Sequence, residues 1–208
     1  MTLEWLGHAC FLLTTAQGTR IVTDPYDDSV GYGSLHVKAD AVTVSHGHHD
    51  HNYTAAVEGY EKIFDSAQEQ RFRDVSISAI ESFHDPFGGQ KRGKNLIFRL
   101  EADGYSVVHL GDLGHSPDDA QKRFIKNADV LLIPIGGYFT IDTDEALKII
   151  DACKPRAAVA MHYRNSACAF PISTAEQFCK ALNARTLTGP ADVAGLSGAY
   201  VFSQPGKP

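Results

Sequence analysis

The chain has 208 residues, of which 43% are hydrophobic and 21% are charged, an ordinary balance for a globular protein. The formal net charge of -6, from 25 acidic and 19 basic residues, argues against a general nucleic-acid binder, although it leaves a local basic patch open. The length predicts one domain over residues 1–208, long enough to bury a core without disulfides.

The chain contains four cysteines, Cys10, Cys153, Cys168 and Cys179. They form no CxxC pair, and this scattered arrangement is typical of reduced, mostly buried thiols in a cytosolic protein. The N-terminal stretch "MTLEWLGHACFLLTTAQG" has no basic n-region, and Glu4 and His8 interrupt its apolar run. It therefore predicts neither a signal peptide nor a membrane span. We expect a cytoplasmic protein.

The first half of the chain predicts a series of short strands. The segments "ACFLLTT" and "RIVTDP", joined by "AQGT", predict a hairpin, and "AVTVSH" predicts a buried strand that ends at His46. The segment "DVSISAIESFH" alternates by twos and ends at His84. The segment "NLIFRLEADGYSVVHLGD" predicts two strands, which are joined at Asp103-Gly104 and end at Asp112.

Helix signals appear in the second half. The run Ser116-Pro117-Asp118-Asp119 predicts a helix start with a cap and a first-turn proline. The segment "DTDEALKIIDACK" predicts an amphipathic helix, with Asp142 and Glu145 at capping-box spacing and Pro155 after it. Ser173 and Glu176 repeat that spacing before "AEQFCKALNA". Strands followed by helix–strand alternation predict sheets covered by helices, and "SQPGKP" predicts a frayed tail.

Four polar residues stand where predicted apolar strands run out into loops. They are His46 after "AVTVS", His84 after "SAIESF", Asp112 after "VVHLG" and His162 after "AAVAM". Functional sites of layered α/β proteins gather at strand ends, where loops held by a rigid sheet can converge. We therefore expect these four side chains to meet.

The segment "VSHGHHDHN" adds further candidate metal ligands to this set. His46 and His48 point the same way if the segment is extended, so they can share one metal ion with His84. Asp50, His51 and His162 can face a second ion, and the Asp112 carboxylate can bridge the two. Nitrogen and carboxylate ligands without thiolate favour zinc, with manganese or iron as alternatives, and the open positions are typical of a catalytic site.

The sequence resembles the metallo-β-lactamase-fold hydrolase superfamily. The run His46-Gly47-His48-His49-Asp50-His51 matches its H-x-H-x-D-H signature, and His84, Asp112 and His162 follow in the expected order. The segments "EWLGHACFLL", "IVTDP", "HLGDLGH", "IPIGGYFTID" and "AMHYR" resemble the small branch related to ascorbate-6-phosphate lactonase. The resemblance implies an α/β fold, a four-layer αββα sandwich of two mixed sheets covered by helices, with a binuclear site at one sheet edge.

The implied activity is metal-assisted hydrolysis, in which a hydroxide shared by two divalent ions attacks a carbonyl or phosphoryl centre. The branch resemblance favours a lactone or ester of a small molecule, whose anionic character stays open. A phosphodiesterase and a non-catalytic metal-binding protein are the alternatives. An iron oxidoreductase is disfavoured, because diiron versions replace the second histidine of the signature by glutamate and position 48 is histidine. No nucleic-acid or membrane partner is expected, and a homo-oligomer stays open.

Several further residues carry two interpretations each. Asp50 can orient the nucleophile as well as bind metal, and His115 is interpreted as a proton donor, with a helix-cap role as the alternative. His8 is either a core imidazole or a group that faces the site. Asp24 either accepts a ligand N–H or makes an Asp-Pro turn. The basic loop Gly88–Asn95, "GGQKRGKN", with Lys91, Arg92 and Lys94, is either an anion clamp or, the favoured interpretation, a solvated hairpin tip.

Overall fold

The computed structural model describes residues 1–203. The helices are α1 Asp119–Ile125, α2 Thr143–Cys153 and α3 Glu176–Leu182, and short 3-10 helices span Asp28–Val30, Thr54–Ala56 and Val193–Gly195. The strands are β1 Thr2–Gly7, β2 Cys10–Thr14, β3 Arg20–Thr23, β4 Val37–Lys38, β5 Ala41–Thr43, β6 Val57–Glu58, β7 Lys62–Phe64, β8 Gln70–Phe72, β9 Val75–Phe83, β10 Lys94–Ala102, β11 Tyr105–His109, β12 Val130–Pro134, β13 Ala157–Met161, β14 Arg185–Leu187, β15 Ala191–Asp192 and β16 Gly198–Phe202.

Two mixed sheets form the centre of the molecule. A six-stranded sheet has the order β15-β1-β2-β3-β5-β7, and an eight-stranded sheet has the order β14-β16-β13-β12-β11-β10-β9-β8. The predicted hairpin is the antiparallel pair β2–β3, and the turn at Asp103-Gly104 joins the antiparallel pair β10–β11. From β11 to β16 the neighbouring strands are parallel, because helical crossovers connect them.

The side chains of the six-stranded sheet alternate between two apolar clusters. On β2, Phe11 and Leu13 belong to the large core that also contains Ile97 of the eight-stranded sheet. Cys10 and Leu12 point to the opposite face and join a second cluster. This period of two is the expected pattern for a strand that is covered on both faces. The two sheets therefore pack face to face as a sandwich.

The outer faces of the two sheets are covered differently. The helices α1, α2 and α3 contact β9, β12 and β16, so all three lie on the eight-stranded sheet. The outer face of the six-stranded sheet packs against apolar residues of segments 26–39 and 54–58, which contain two 3-10 helices and the β4–β6 pair. The predicted α/β fold class is confirmed, with this non-α cover on one side.

Two predicted helix starts are misplaced. α1 begins after Asp118, which forms a full capping box with Gln121, rather than at Ser116. α2 begins after Asp142 as expected, where the Asp142 carboxylate accepts a hydrogen bond from the Glu145 N–H at 2.9 Å. α3 begins after Ala175, which makes no side-chain cap, and Ser173 lies before the helix with its backbone N–H on the Gly136 carbonyl. A capping spacing is a local signal that tertiary contacts can override.

The remaining structural predictions concern the cysteines and the ends of the chain. All four cysteines are unpaired, and three of them are buried. Within residues 1–203, none of the helices has the length and apolar character needed to cross a bilayer. The predicted frayed tail lies almost entirely outside the described residues, and the single domain over 1–208 stays a prediction.

Candidate metal centre

The four strand-end residues lie together in the structure. His84 and His162 directly follow β9 and β13, Asp112 follows β11, and His46 follows β5. The Asp112 Oδ2 atom is 3.1 Å from His84 Nε2, 3.3 Å from His162 Nε2 and 3.9 Å from His46 Nε2. Since β5 belongs to one sheet and the other three strands to its partner, the site lies where strand ends of both sheets meet.

The candidate ligands form three overlapping groups, within each of which one potential ligand atom per residue lies within 4.8 Å of the others. The groups are His46, His48 and His84; His8, Asp50, His51 and His162; and His46, His51 and Asp112. The first two match the predicted division into two sites, with His8 added to the second. Asp112 lies between them, because its Oδ1 atom is also 3.2 Å from His51 Nε2.

The signature segment turns at His48, whereas the shared direction of His46 and His48 is predicted from an extended backbone. β5 ends at Thr43, and the N–H groups of His51 and Asn52 both donate to the His48 carbonyl, at 2.9 and 3.0 Å. The rings of His46 and His48 still lie side by side, with centroids 4.7 Å apart. Their shared direction is therefore produced by the turn.

Asp24 holds this turn against β3. Its Oδ1 atom accepts the Ser45 backbone N–H at 2.7 Å, and its Oδ2 atom accepts the Ser45 hydroxyl at 2.5 Å. Asp24 Oδ2 is also 2.9 Å from His51 Nδ1, and both side chains are fully buried. A carboxylate that accepts the N–H of one ring nitrogen leaves the other nitrogen free to bind a metal ion. The contact with His51 therefore supports the interpretation that Asp24 orients a metal ligand.

Burial and neighbouring charges favour a neutral imidazole at His46 and a positively charged one at His51. Burial lowers the pKa of His46 to about 3, which keeps the ring in its neutral, metal-binding form. Burial also works against charge at His51, but the carboxylates of Asp112 and Asp50 outweigh it and raise the His51 pKa well above its usual range. Burial alone would raise the Asp112 pKa, but His162 and His51 hold it well below its usual range.

The donor set fits metal ions. Six buried side-chain atoms of the predicted ligands have no hydrogen-bond partner within residues 1–203: His46 Nε2, His51 Nε2, His84 Nδ1, Asp112 Oδ1 and both ring nitrogens of His162. Buried polar atoms nearly always have a partner, so a group of unpartnered atoms that face one another needs an explanation. Imidazole nitrogens and a carboxylate oxygen are suitable ligands for zinc and similar divalent ions.

Three residues of the centre have left-handed backbone conformations. The φ angles are 51° at His8, 42° at Asp24 and 51° at His162. Side chains with a Cβ rarely adopt this region, and such residues concentrate at functional sites where the surrounding contacts impose them. Here the His162 N–H donates to the His8 carbonyl at 3.3 Å, so two of the three residues hold each other.

His115 lies outside all three ligand groups. Its Nε2 atom accepts the Phe83 backbone N–H at 3.1 Å, and its Nδ1 atom is 2.8 Å from the Ser116 carbonyl. Both ring nitrogens are therefore engaged with backbone, and this geometry does not support the predicted proton-donor role. His49, the variable position of the signature, points outward and lies 3.1 Å from the Ser29 hydroxyl.

Asn95 is a site residue that the sequence did not reveal. Its Oδ1 atom accepts the Asp112 backbone N–H at 2.8 Å, and its Nδ2 atom donates to the Leu110 carbonyl at 2.9 Å. The side chain is fully buried, so it fixes the loop that presents Asp112. The only sequence signal was an amide at the start of the apolar strand "NLIFRL", which is also an ordinary loop residue.

The comparison with known families accounts for this geometry. A family model described as "Beta-lactamase superfamily domain" matches residues 2–162, about three quarters of the chain. The chain belongs to the β-lactamase superfamily. The H-x-H-x-D-H signature, His84, Asp112 and His162 all lie within the matched residues, so the resemblance seen in the sequence is confirmed at the level of the superfamily.

Relatives within the β-lactamase superfamily cover most of the chain. A UPF0173 protein of Pyrococcus abyssi is 33% identical over 78% of this chain and 83% of its own. A UPF0173 metal-dependent hydrolase of Thermoplasma acidophilum is 28% identical over 78% of this chain and 83% of its own. A Thermotoga maritima structure of the metallo-β-lactamase superfamily, proposed to be a Zn-dependent hydrolase, superposes with a TM-score of 0.79 at 31% identity, covering 97% of both chains.

Proposed function

We propose that this protein is a metal-dependent hydrolase with two divalent ions, most simply zinc, at the candidate centre. The observation that carries the proposal is the position of Asp112 between the group His46, His48 and His84 and the group Asp50, His51 and His162. The names of its relatives, metal-dependent hydrolases and a proposed Zn-dependent hydrolase, support the same reaction class.

Different residues of the chain have different roles in such a reaction. Divalent ions held by these residues would supply a hydroxide at neutral pH, because such an ion lowers the pKa of a bound water toward ~7. The Asp112 carboxylate contacts His84 of the first group of ligands and His51 and His162 of the second. Asp50, whose side chain is 12% exposed, is positioned to orient the attacking water. With a hydroxide as the nucleophile, no side-chain nucleophile is required.

The first prediction concerns metal content. The parent protein, purified without a tag or added metal, is expected to carry about two divalent ions per chain by elemental mass spectrometry. His84→Ala and His162→Ala are each expected to lose one ion, because each removes a ligand from a different group. His49→Ala is the matched control, since His49 lies in the same segment but points outward. One ion that neither substitution affects, or none, would overturn the proposal.

The substrate is proposed to be a small lactone or ester, in keeping with the branch resemblance. A cavity of about 790 Å³ adjoins the centre and is lined by His46, His48, Arg92, Lys94, Glu81 and Asp65, among others. Its volume is in the range of small-molecule sites. Lys94 is paired with Glu81 at 2.9 Å, whereas Arg92 has no carboxylate within 4.0 Å in the described part of the chain. The cavity therefore offers one unneutralised guanidinium.

The basic loop is ordered by contacts on both sides. The Asp85 carboxylate accepts backbone hydrogen bonds of 2.7–3.0 Å from the N–H groups of Phe87, Gly89, Lys91 and Arg92. The Arg92 guanidinium donates to the Tyr138 carbonyl at 3.1 Å and lies 5.6 Å from the Phe139 ring centroid. Arg92 is half-buried and its partners are uncharged, which supports the anion-clamp interpretation for this residue. An arginine held in this way can bind a substrate carboxylate or phosphate.

The second prediction tests the anionic substrate. Arg92→Gln is expected to raise the KM for the anionic ester 4-nitrophenyl hemiglutarate by on the order of 10-fold, because a hydrogen bond to a charged group is lost. The KM for neutral 4-nitrophenyl acetate should change little. Lys91→Gln is the control from the same loop, since Lys91 lies over the Phe87 ring. Equal losses on both esters, or none, would contradict the role of Arg92. Bis(4-nitrophenyl) phosphate in the same screen tests the phosphodiesterase alternative.

A further inference from the structure

His8 lies at the centre but is not part of the H-x-H-x-D-H signature. It forms, with Ala9, the two-residue connection between β1 and β2, and its side chain is fully buried. Its carbonyl accepts hydrogen bonds from Trp5 Nε1 at 3.0 Å and from the His162 backbone N–H at 3.3 Å. The backbone of His8 is therefore fixed from both sides.

The ring of His8 faces the second group of candidate ligands. Its Nε2 atom lies 3.3 Å from Asp50 Oδ2, and its centroid is 4.1 Å from that of His162. The Phe170 ring approaches edge-on, with centroids 5.4 Å apart. The imidazole is thus enclosed by Asp50, His162 and Phe170, and its only hydrogen bond within residues 1–203 is to Asp50.

One contrast separates His8 from the candidate ligands of this group. His51 and His162 each have an Nε2 atom without a hydrogen-bond partner, as expected for a nitrogen that binds metal. His8 instead uses Nε2 for Asp50, and only its Nδ1 atom is unpartnered. A neutral imidazole has a single N–H, so donation from Nε2 to the carboxylate makes Nδ1 an acceptor.

We propose that His8 is a positioning residue that donates its Nε2–H to Asp50 Oδ2 and so fixes the Asp50 carboxylate toward the second metal ion. The proposal rests on the two-metal function above. The hydrogen bond restricts rotation of a carboxylate whose side chain is partly exposed to the site opening. Partners of this kind orient ligands, and their removal typically weakens metal binding by about 10–100-fold.

The test is a zinc titration of the metal-free protein against a chromophoric chelator, with His8→Phe and His8→Gln. Phenylalanine keeps the ring between His162 and Phe170 but removes the donor, so the affinity of the second ion should fall by about 10–100-fold. Glutamine carries an N–H in a similar place, so it should restore that affinity close to the parent value. The affinity of the first ion, bound by His46, His48 and His84, should be unchanged in both variants. His49→Phe is the control, because His49 points outward.

The possible results are distinguishable. Loss of the second ion in both variants would make His8 a metal ligand itself, and an unchanged second ion in both would leave it without a role; either result overturns the proposal. Thermal unfolding of each metal-free variant separates a binding effect from a folding defect, and the rescue by glutamine does not depend on the stability of His8→Phe. The absorption of bound Co²⁺ gives a second readout of the ligand geometry. A parent protein that binds fewer than two ions would overturn the two-metal proposal first, and this inference with it.

Discussion

Asp112→Ala is expected to remove nearly all activity and at least one of the two metal ions proposed for the centre. Within residues 1–203, Asp112 is the only carboxylate that contacts His84, His162 and His51 together, at 3.1, 3.3 and 3.2 Å. Residues that only orient a ligand contribute about 10–100-fold, so a residue proposed to bind the metal itself should contribute more. We expect kcat/KM on the best ester to fall by more than about 10²-fold.

The measurement is kcat/KM together with metal content for the same preparation. Asp151→Ala is the matched control, because Asp151 is an exposed aspartate on α2 whose partner is Lys154. Asp112→Asn keeps the shape of the side chain and removes only its charge. Both Asp112 variants should lose activity if the charge holds the ions. An Asp112→Ala protein that keeps two ions and near-parent activity would rule out the shared carboxylate.

Asp24→Asn is expected to weaken metal binding by about 10–100-fold, although it replaces none of the candidate ligand residues. The Ser45 backbone N–H donates to Oδ1, which fixes the amide oxygen of asparagine at that position. The amide nitrogen then replaces Oδ2 and points its N–H at His51 Nδ1. His51 must accept there, so its own proton moves to Nε2, the atom that faces Asp112 Oδ1 at 3.2 Å. A protonated Nε2 cannot bind a metal ion.

This prediction is checked by metal titration and by unfolding of the metal-free protein. The loss of hydrogen bonds at a buried carboxylate should lower the free energy of unfolding by about 1–3 kcal/mol, because the Ser45 hydroxyl also loses its acceptor. Asp27→Asn is the control, since Asp27 lies three residues away and contacts the exposed His49. If Asp24→Asn loses stability but keeps parent metal affinity, Asp24 only supports the turn, and its ligand-orienting role is wrong.

The strand-end residues were predictable because their placement depends on local patterns. Apolar runs of strand length ended at His46, His84, Asp112 and His162, and a sheet brings such ends to one edge. The H-x-H-x-D-H run made the superfamily recognisable, and the family comparison confirms it. A turn at Asp50 and His51 was expected, but the hydrogen bonds of the His51 and Asn52 N–H groups to the His48 carbonyl bring the turn forward to His48, where an extended backbone was expected.

The sequence by itself determined the strand pattern, the superfamily and the set of candidate ligands, because each is written in residues close together or in a fixed order along the chain. Only the tertiary structure decided which polar residues hold that set in place. Asn95 reaches the Asp112 loop across 17 positions, and His8 reaches Asp50 across 42. It also engaged the Nε2 atom of His115 with the backbone N–H of Phe83, 32 positions away. A hydrogen bond depends on distance in space to within a few tenths of an ångström, and spacing along the chain does not contain that information.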